Sequence, residues 1–269
     1  MQCTPKTLSN YEWTINRFIT WLVSQGVTTP AQLTARHVRA FIAQYSNLSD
    51  WSIFTYARSI RTLVRFWYAE GYLSTPITVT MPRIRQRRMP FLTADQVHAV
   101  IKRCTIRERA IVLFLVDSGL RRQELINLNR QDIDMRSGAV RVIQGKGRKD
   151  RLAVIGATTR RAIIKMWSAQ LDQRPDAPAF QTKTGTRFAP EGIRMLFSRL
   201  STKSGIHVSA HALRRTFATI ALQNGLDLVS LQTLLGHTSI ETTRRYIQWL
   251  DGDLLKAHQR ASPVDSWKL

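Results

Sequence analysis

Residues 74–90, STPITVTMPRIRQRRMP, interrupt the chain with Pro76, Pro82 and Pro90. A proline lacks a backbone donor and fixes φ, and it drives the residue before it into extended geometry. No helix crosses such a stretch, so the sequence falls into two parts. With 269 residues, 43% of them apolar, there is enough material for a core in each. The expected division is a domain over 1–82, an extended basic linker over 83–90 and a second domain over 91–269.

The first part reads as helices. Leu8, Tyr11, Ile15, Phe18, Ile19 and Leu22 recur at three- and four-residue spacing between Thr7 and Gln25, and Gly26 follows where a left-handed cap is wanted. Thr34 is placed to cap a second helix bearing Val38, Phe41, Ile42 and Tyr45. Ser49 or Asp50 opens a third, with Ile53, Tyr56, Ile60, Leu63, Val64 and Trp67 as its stripe and Gly71 at its end. Short connections between such helices predict a small bundle, and the spacing of the aromatic residues places them in its core.

The second part mixes periods. Thr93 and Gln96 form a capping-box pattern before Val97, Val100 and Ile101, and a more buried helix runs from Ile106 to Gly119. Arg121 then sits at a turn beside the start of a short helix, a place suited to an anion, with Glu124 one turn on as a buttress. The period drops to two for Val140 and Val142 and again for Leu152 and Val154, across the glycine-rich run 145–150. This predicts a β-hairpin with Lys146 at its tip. Helices resume over Thr158 to Leu171 and Pro190 to Ser204, separated by a short strand over Ala179 to Thr182 and a turn at 183–187. The fold class is therefore mainly α, a helical bundle followed by an α+β domain with a small antiparallel sheet.

Charge narrows the function. Forty Lys and Arg against 18 Asp and Glu give +22 and a pI near 11.3, the balance of a protein that meets a polyanion. Residues 1–90 hold eleven basic and three acidic side chains. Arg58, Arg61 and Arg65 share one helix face and could track phosphates, and Arg83, Arg85, Arg87 and Arg88 make the linker basic. A charge run is often a solvated face, but a bias over the whole segment favours DNA contact and a clamp of two domains about a duplex. Two cysteines, Cys3 and Cys104, make neither a disulfide framework nor a zinc cluster. No leader or apolar membrane span is evident, so a cytoplasmic, nucleoid-associated protein is expected.

The chemistry gathers near the C-terminus, in HALRRTFATIALQNGLDLVSLQTLLGHTSIETTRRY. His211 and Arg214 lie at i and i+3 at the start of a helix, where the dipole favours an anion. Gly236 ends the next helix and presents His237 at a turn. Tyr246 is the only tyrosine outside the first part, since the others are Tyr11, Tyr45, Tyr56, Tyr68 and Tyr72. A phenol can attack phosphorus, while arginine and histidine hold the charge that develops.

SGLRRQEL, GKGRKDR, HALRRTFAT and LLGHTSIETTRRY, in that order, resemble the boxes of the tyrosine recombinases, the phage-integrase and Xer-like group, and the resemblance spans essentially the whole chain. It implies a SAM-like core-binding domain ahead of the catalytic domain. Tyr246 would be the nucleophile, Arg121, Arg214 and His237 the donors to the scissile phosphate, His211 an acceptor of the phenol proton, and Lys146 the acid for the leaving 5′-oxygen. It also implies double-stranded DNA with inverted-repeat core sites, a tetramer coupled through C-terminal tails, a possible accessory protein, no membrane, and no metal or other cofactor. Ile247-Gln248-Trp249 stands where many members carry a histidine, and two-site bridging of the large-integrase kind is not expected. The rival readings are a type IB topoisomerase-like enzyme and a catalytically silent DNA-binding regulator. The second is disfavoured because all six catalytic positions are filled.

Overall fold

The computed structural model describes residues 5–84, 90–143, 150–237 and 239–244. Its contacts separate the chain into two units, Met1–Arg88 and Met89–Leu269.

The first unit is built on three helices, α1 (Pro5–Ser24), α2 (Ala35–Ala43) and α3 (Asp50–Ala69). The caps fall where hydroxyls are available. Thr34 accepts from the His37 amide at 3.4 Å and Ser49 from the Ser52 amide at 3.2 Å, each satisfying an otherwise orphaned donor. Phe18, Val38, Phe41, Ala57, Ile60 and Val64 form the core, with Phe18 and Phe41 edge to face. The stripe of α1 is narrower than its apolar spacing suggests, for Leu8 and Ile19 are exposed and Thr14 is buried instead. Thr14 tolerates this because its hydroxyl donates to the Asn10 carbonyl. Several aromatics are also displaced from the core: Trp13, Trp51, Phe66, Tyr68 and Tyr72 are exposed. Ile77, Val79 and Met81 fold back onto the same core, so this part of the proline-rich stretch is packed rather than solvated.

In the second unit the organising helix is α5 (Ile106–Ser118), which follows α4 (Ala94–Lys102). Ala110, Ile111, Val112, Phe114 and Leu115 bury most of α5 beyond its first turn, while Ile106 and Arg109 stay exposed near its start. It stops at Gly119, whose φ of +62° is the left-handed geometry of a C-cap. The short α6 (Arg122–Asn127) leads to the hairpin of β1 (Ala139–Val142) and β2 (Arg151–Val154), antiparallel with Val140 opposite Ala153 and Val142 opposite Arg151. That register gives β2 a polarity opposite to its apolar alternation. Leu152 and Val154 face solvent, while Ala153 and Arg151 turn inward.

Among the described residues five helices follow the hairpin: α7 (Ala157–Trp167), α8 (Pro190–Ser204), α9 (Ala210–Gln223), α10 (Leu228–Leu235) and α11 (Ile240–Arg244). The α7 helix ends short of the expected Leu171, which is highly exposed. The expected strand over Ala179 to Thr182 is replaced by isolated bridges at Pro178 and Gln181. Here Ala179 and Phe180 both enter the core, so alternation is lost. Ala218, Leu231 and Leu235 join α10 to α9. Among the described residues no helix is long and apolar enough to cross a membrane.

Candidate active site

Arg121 occupies the position just before α6 in extended geometry. Glu124, one turn later, grips it twice. Its carboxylate accepts the Arg121 amide at 2.7 Å and the guanidinium Nη1 at 2.7 Å. Burial alone would raise the Glu124 pKa, but Arg151 and then the amide and guanidinium of Arg121 hold it below the ordinary value. A carboxylate that stays ionised this way can orient cations without taking a proton from them.

Arg151 approaches the same carboxylate from β2, with Nη2 at 2.7 Å from Oε2, and Arg214 comes from α9 with Nη1 at 3.9 Å. Three guanidiniums thus share one carboxylate. Arg214 is only 4% exposed, and two of the atoms that hold it are backbone carbonyls. Nη1 donates to Gly119 and Nη2 to Leu235, both at 2.7 Å. The left-handed end of α5 matters here, because it turns the Gly119 carbonyl toward Arg214.

Gly236, with φ +63°, ends α10 and places His237 against Arg214. Arg214 Nη2 lies 2.9 Å from His237 Nε2, and His237 Nδ1 lies 2.9 Å from the hydroxyl of the fully buried Thr243. A guanidinium only donates, so Nε2 is the acceptor and the imidazole proton resides on Nδ1, donated to Thr243. Burial, then the charges of Arg214, Arg121 and Arg151, bring the His237 pKa down to about 4 against a partial counterweight from Glu124. His237 is therefore neutral at neutral pH.

His211, on the first turn of α9, is exposed. Its pKa is lowered by partial withdrawal from solvent and then by Arg214, Arg215, Arg122 and Arg121. A neutral imidazole among cations can accept a proton. It opens on a cleft of about 540 Å³ lined by Arg121, Arg122, Arg194, His207 and Ser209.

The structure thus brings Arg121, Glu124, Arg214 and His237 into one bonded cluster, and places His211 with Arg121 on the cleft. Lys146 and Tyr246 lie outside the described residues, as do Arg85, Arg87 and Arg88. In the first unit Arg58 and Arg65 are exposed on α3, with Arg61 partly so, and Arg83 is exposed beyond it. Sequence reasoning missed Arg151 and Thr243. The alternation of β2 pointed the wrong way for Arg151, while Thr243 lay in plain view within the final box without a charge to mark it.

The fold and the site first define a class: a strongly basic, mainly helical chain whose second unit gathers three guanidiniums about the Glu124 carboxylate, with His237 bonded to one of them. The profile described as the phage integrase family matches residues 90–252, and that of the phage integrase N-terminal SAM-like domain matches 1–71. The chain belongs to the phage integrase family and is a tyrosine recombinase, an enzyme of site-specific recombination. It is 30% identical to the tyrosine recombinase XerC of Pelobacter propionicus over 97% of this chain and 90% of that one. The tyrosine recombinase XerA of Thermococcus onnurineus is 29% identical, over 97% of this chain and 91% of its own. The fold is also similar to a lambda integrase dimer bound to a core site, with a TM-score of 0.74 at 19% identity, covering 91% of this chain and 89% of that one.

Proposed function

We propose that this recombinase cleaves and rejoins duplex DNA through a 3′-phosphotyrosyl link formed by Tyr246. The phenol oxygen attacks the scissile phosphorus in line, the bond from phosphorus to the 5′-oxygen breaks, and a 5′-hydroxyl is left. His211 takes the phenol proton and Lys146 supplies one to the leaving 5′-oxygen. Attack by a second 5′-hydroxyl reverses the step and joins a new partner, so the energy of the phosphodiester is conserved.

The cluster of Arg121 and Arg214 about Glu124 is the observation that carries this reading. Guanidiniums offer paired donors in a rigid plane, which suits the non-bridging oxygens of a crowded transition state better than an ammonium does. His237 becomes a donor to the phosphate when the bond from Arg214 to Nε2 yields and that nitrogen is protonated, a change an arriving anion favours.

The division 1–82, 83–90 and 91–269 belongs to the same reading, with Arg58, Arg61, Arg65, Arg83, Arg85, Arg87 and Arg88 on the DNA backbone. The DNA-bound recombinase fold to which the chain is similar supports duplex DNA as the partner. Specific inverted-repeat core sites, a tail-coupled tetramer, an accessory protein and association with the nucleoid complete the proposal.

The test uses plasmids carrying two candidate sites, one site or none. A recombinase yields exchange products only from the two-site plasmid and does so in EDTA. Relaxation of all three without exchange would instead support topoisomerase-like action.

A further inference from the structure

Three successive carbonyls at the end of α10 each receive a different guanidinium. Arg151 Nη1 donates to Leu234, Arg214 Nη2 to Leu235 at 2.7 Å, and Arg121 Nη2 to Gly236 at 3.2 Å. The last carbonyls of a helix lack internal partners and carry the negative end of its dipole, so cations are held well there. Arg121 and Arg214 have a place in the reaction proposed above. Arg151 has none.

Its position is nevertheless specific. The Arg151 side chain is only 6% exposed, and its two terminal nitrogens join the Glu124 carboxylate to the last turn of α10. Glu124 orients Arg121, and the last turn of α10 delivers His237. Stability alone does not account for Arg151. Buried ion pairs are often replaceable by apolar residues at no loss, the inward side of β2 is otherwise apolar at Ala153, and Arg151 Nε is buried without a hydrogen-bond partner.

We propose that Arg151 is a positioning residue for strand cleavage: its guanidinium ties Glu124 to the end of α10 and so fixes Arg121 and His237 relative to one another before phosphate arrives. This rests on the reading of Arg121 and His237 as groups that meet the scissile phosphate. Lysine at this position keeps the charge but cannot span two acceptors with one rigid plane.

The test compares wild type and Arg151→Lys as full chains on a nicked duplex that traps the covalent adduct, in single turnover with DNA saturating. Adduct formation is expected to slow about tenfold or more, as small misplacements of catalytic groups do, with DNA affinity within about twofold. The scissile phosphate is then replaced by a neutral methylphosphonate. The gap between the two proteins should narrow, because the donors being positioned meet less charge.

Amide hydrogen exchange in the protein without DNA gives a readout free of activity. The Gly236 and His237 amides, which bond back to Thr233 and Gln232, should exchange faster in Arg151→Lys while α5 stays protected. Wild-type cleavage by Arg151→Lys, unchanged exchange at those two amides, or equal slowing on both substrates would each overturn the positioning role; general loss of protection would reduce Arg151 to a structural residue. Absence of any adduct from wild type would strike the proposed function instead, while the exchange result would still judge the tie between Glu124 and α10.

Discussion

At the scale of single residues, the site works by holding cations close together with oxygen atoms that cannot be protonated near neutral pH. One carboxylate and a row of carbonyls offset Arg121, Arg151 and Arg214, leaving net positive charge in the cluster. Geometry therefore matters as much as charge. Arg214→Lys keeps the charge but cannot reach the Gly119 carbonyl, the Leu235 carbonyl and His237 together, and a cleavage rate lower by about two to three orders of magnitude is expected. Single-turnover cleavage at saturating DNA measures it, and a loss under threefold would mean Arg214 is not at the reacting phosphate. His237 adds a pH signature. Its pKa is about 4 in the native protein, against roughly 6.5 for an unfolded histidine. Between those values the unfolded chain binds a proton that the native state refuses, so stability falls as pH drops through that window. His211 shifts in the same direction. Melting temperature is expected to fall between pH 6.5 and 5, and less steeply in His237→Gln; equal slopes would show that His237 is not the group refusing the proton.

At the scale of elements, the ends of helices do the work. Gly119 closes α5 and gives its carbonyl to Arg214, and a Cβ there would lie 2.3 Å from Phe217 Cδ1 on α9. Gly119→Ala is expected to cost about 1–3 kcal/mol from backbone strain and overpacking. Urea unfolding checks this, and a change below about 0.5 kcal/mol would mean that α9 gives way freely. These ends were largely legible in the sequence, because Thr34, Ser49, Thr93, Gly119 and Gly236 have side chains, or a lack of them, that suit caps and little else. The hairpin was half legible. Its existence followed from the alternation, but its facing did not, because local pattern favours Leu152 and Val154 inward whereas the site draws Arg151 in to Glu124. The stretch over Ala179 to Thr182 failed for a related reason: its burial comes from tertiary packing of Ala179 and Phe180, not from a ladder. Arg121, Arg214 and His237 could be picked out by residue type and motif order, and Glu124 as the buttress of Arg121, but the reach of Arg214 and Arg121 to the end of α10 needed the fold, since those partners are 21 and 115 residues apart.

At the scale of the whole molecule, the chain combines a basic helical unit with a unit that holds the arginine–histidine cluster. The family and its two profiles cover both parts, and a charge of +22 gives the chain a general attraction to DNA that cannot by itself specify where it cuts. In the proposed reaction the chemistry falls to the one residue that becomes covalently attached. The most direct measurement is to trap the adduct on a nicked duplex, digest it, and locate the DNA-linked residue by mass spectrometry, with Tyr246→Phe run alongside. The expected result is a 3′-phosphate ester on Tyr246 and no adduct from Tyr246→Phe, which still binds the same DNA. An adduct on any other residue, or one formed by Tyr246→Phe, would contradict the assignment.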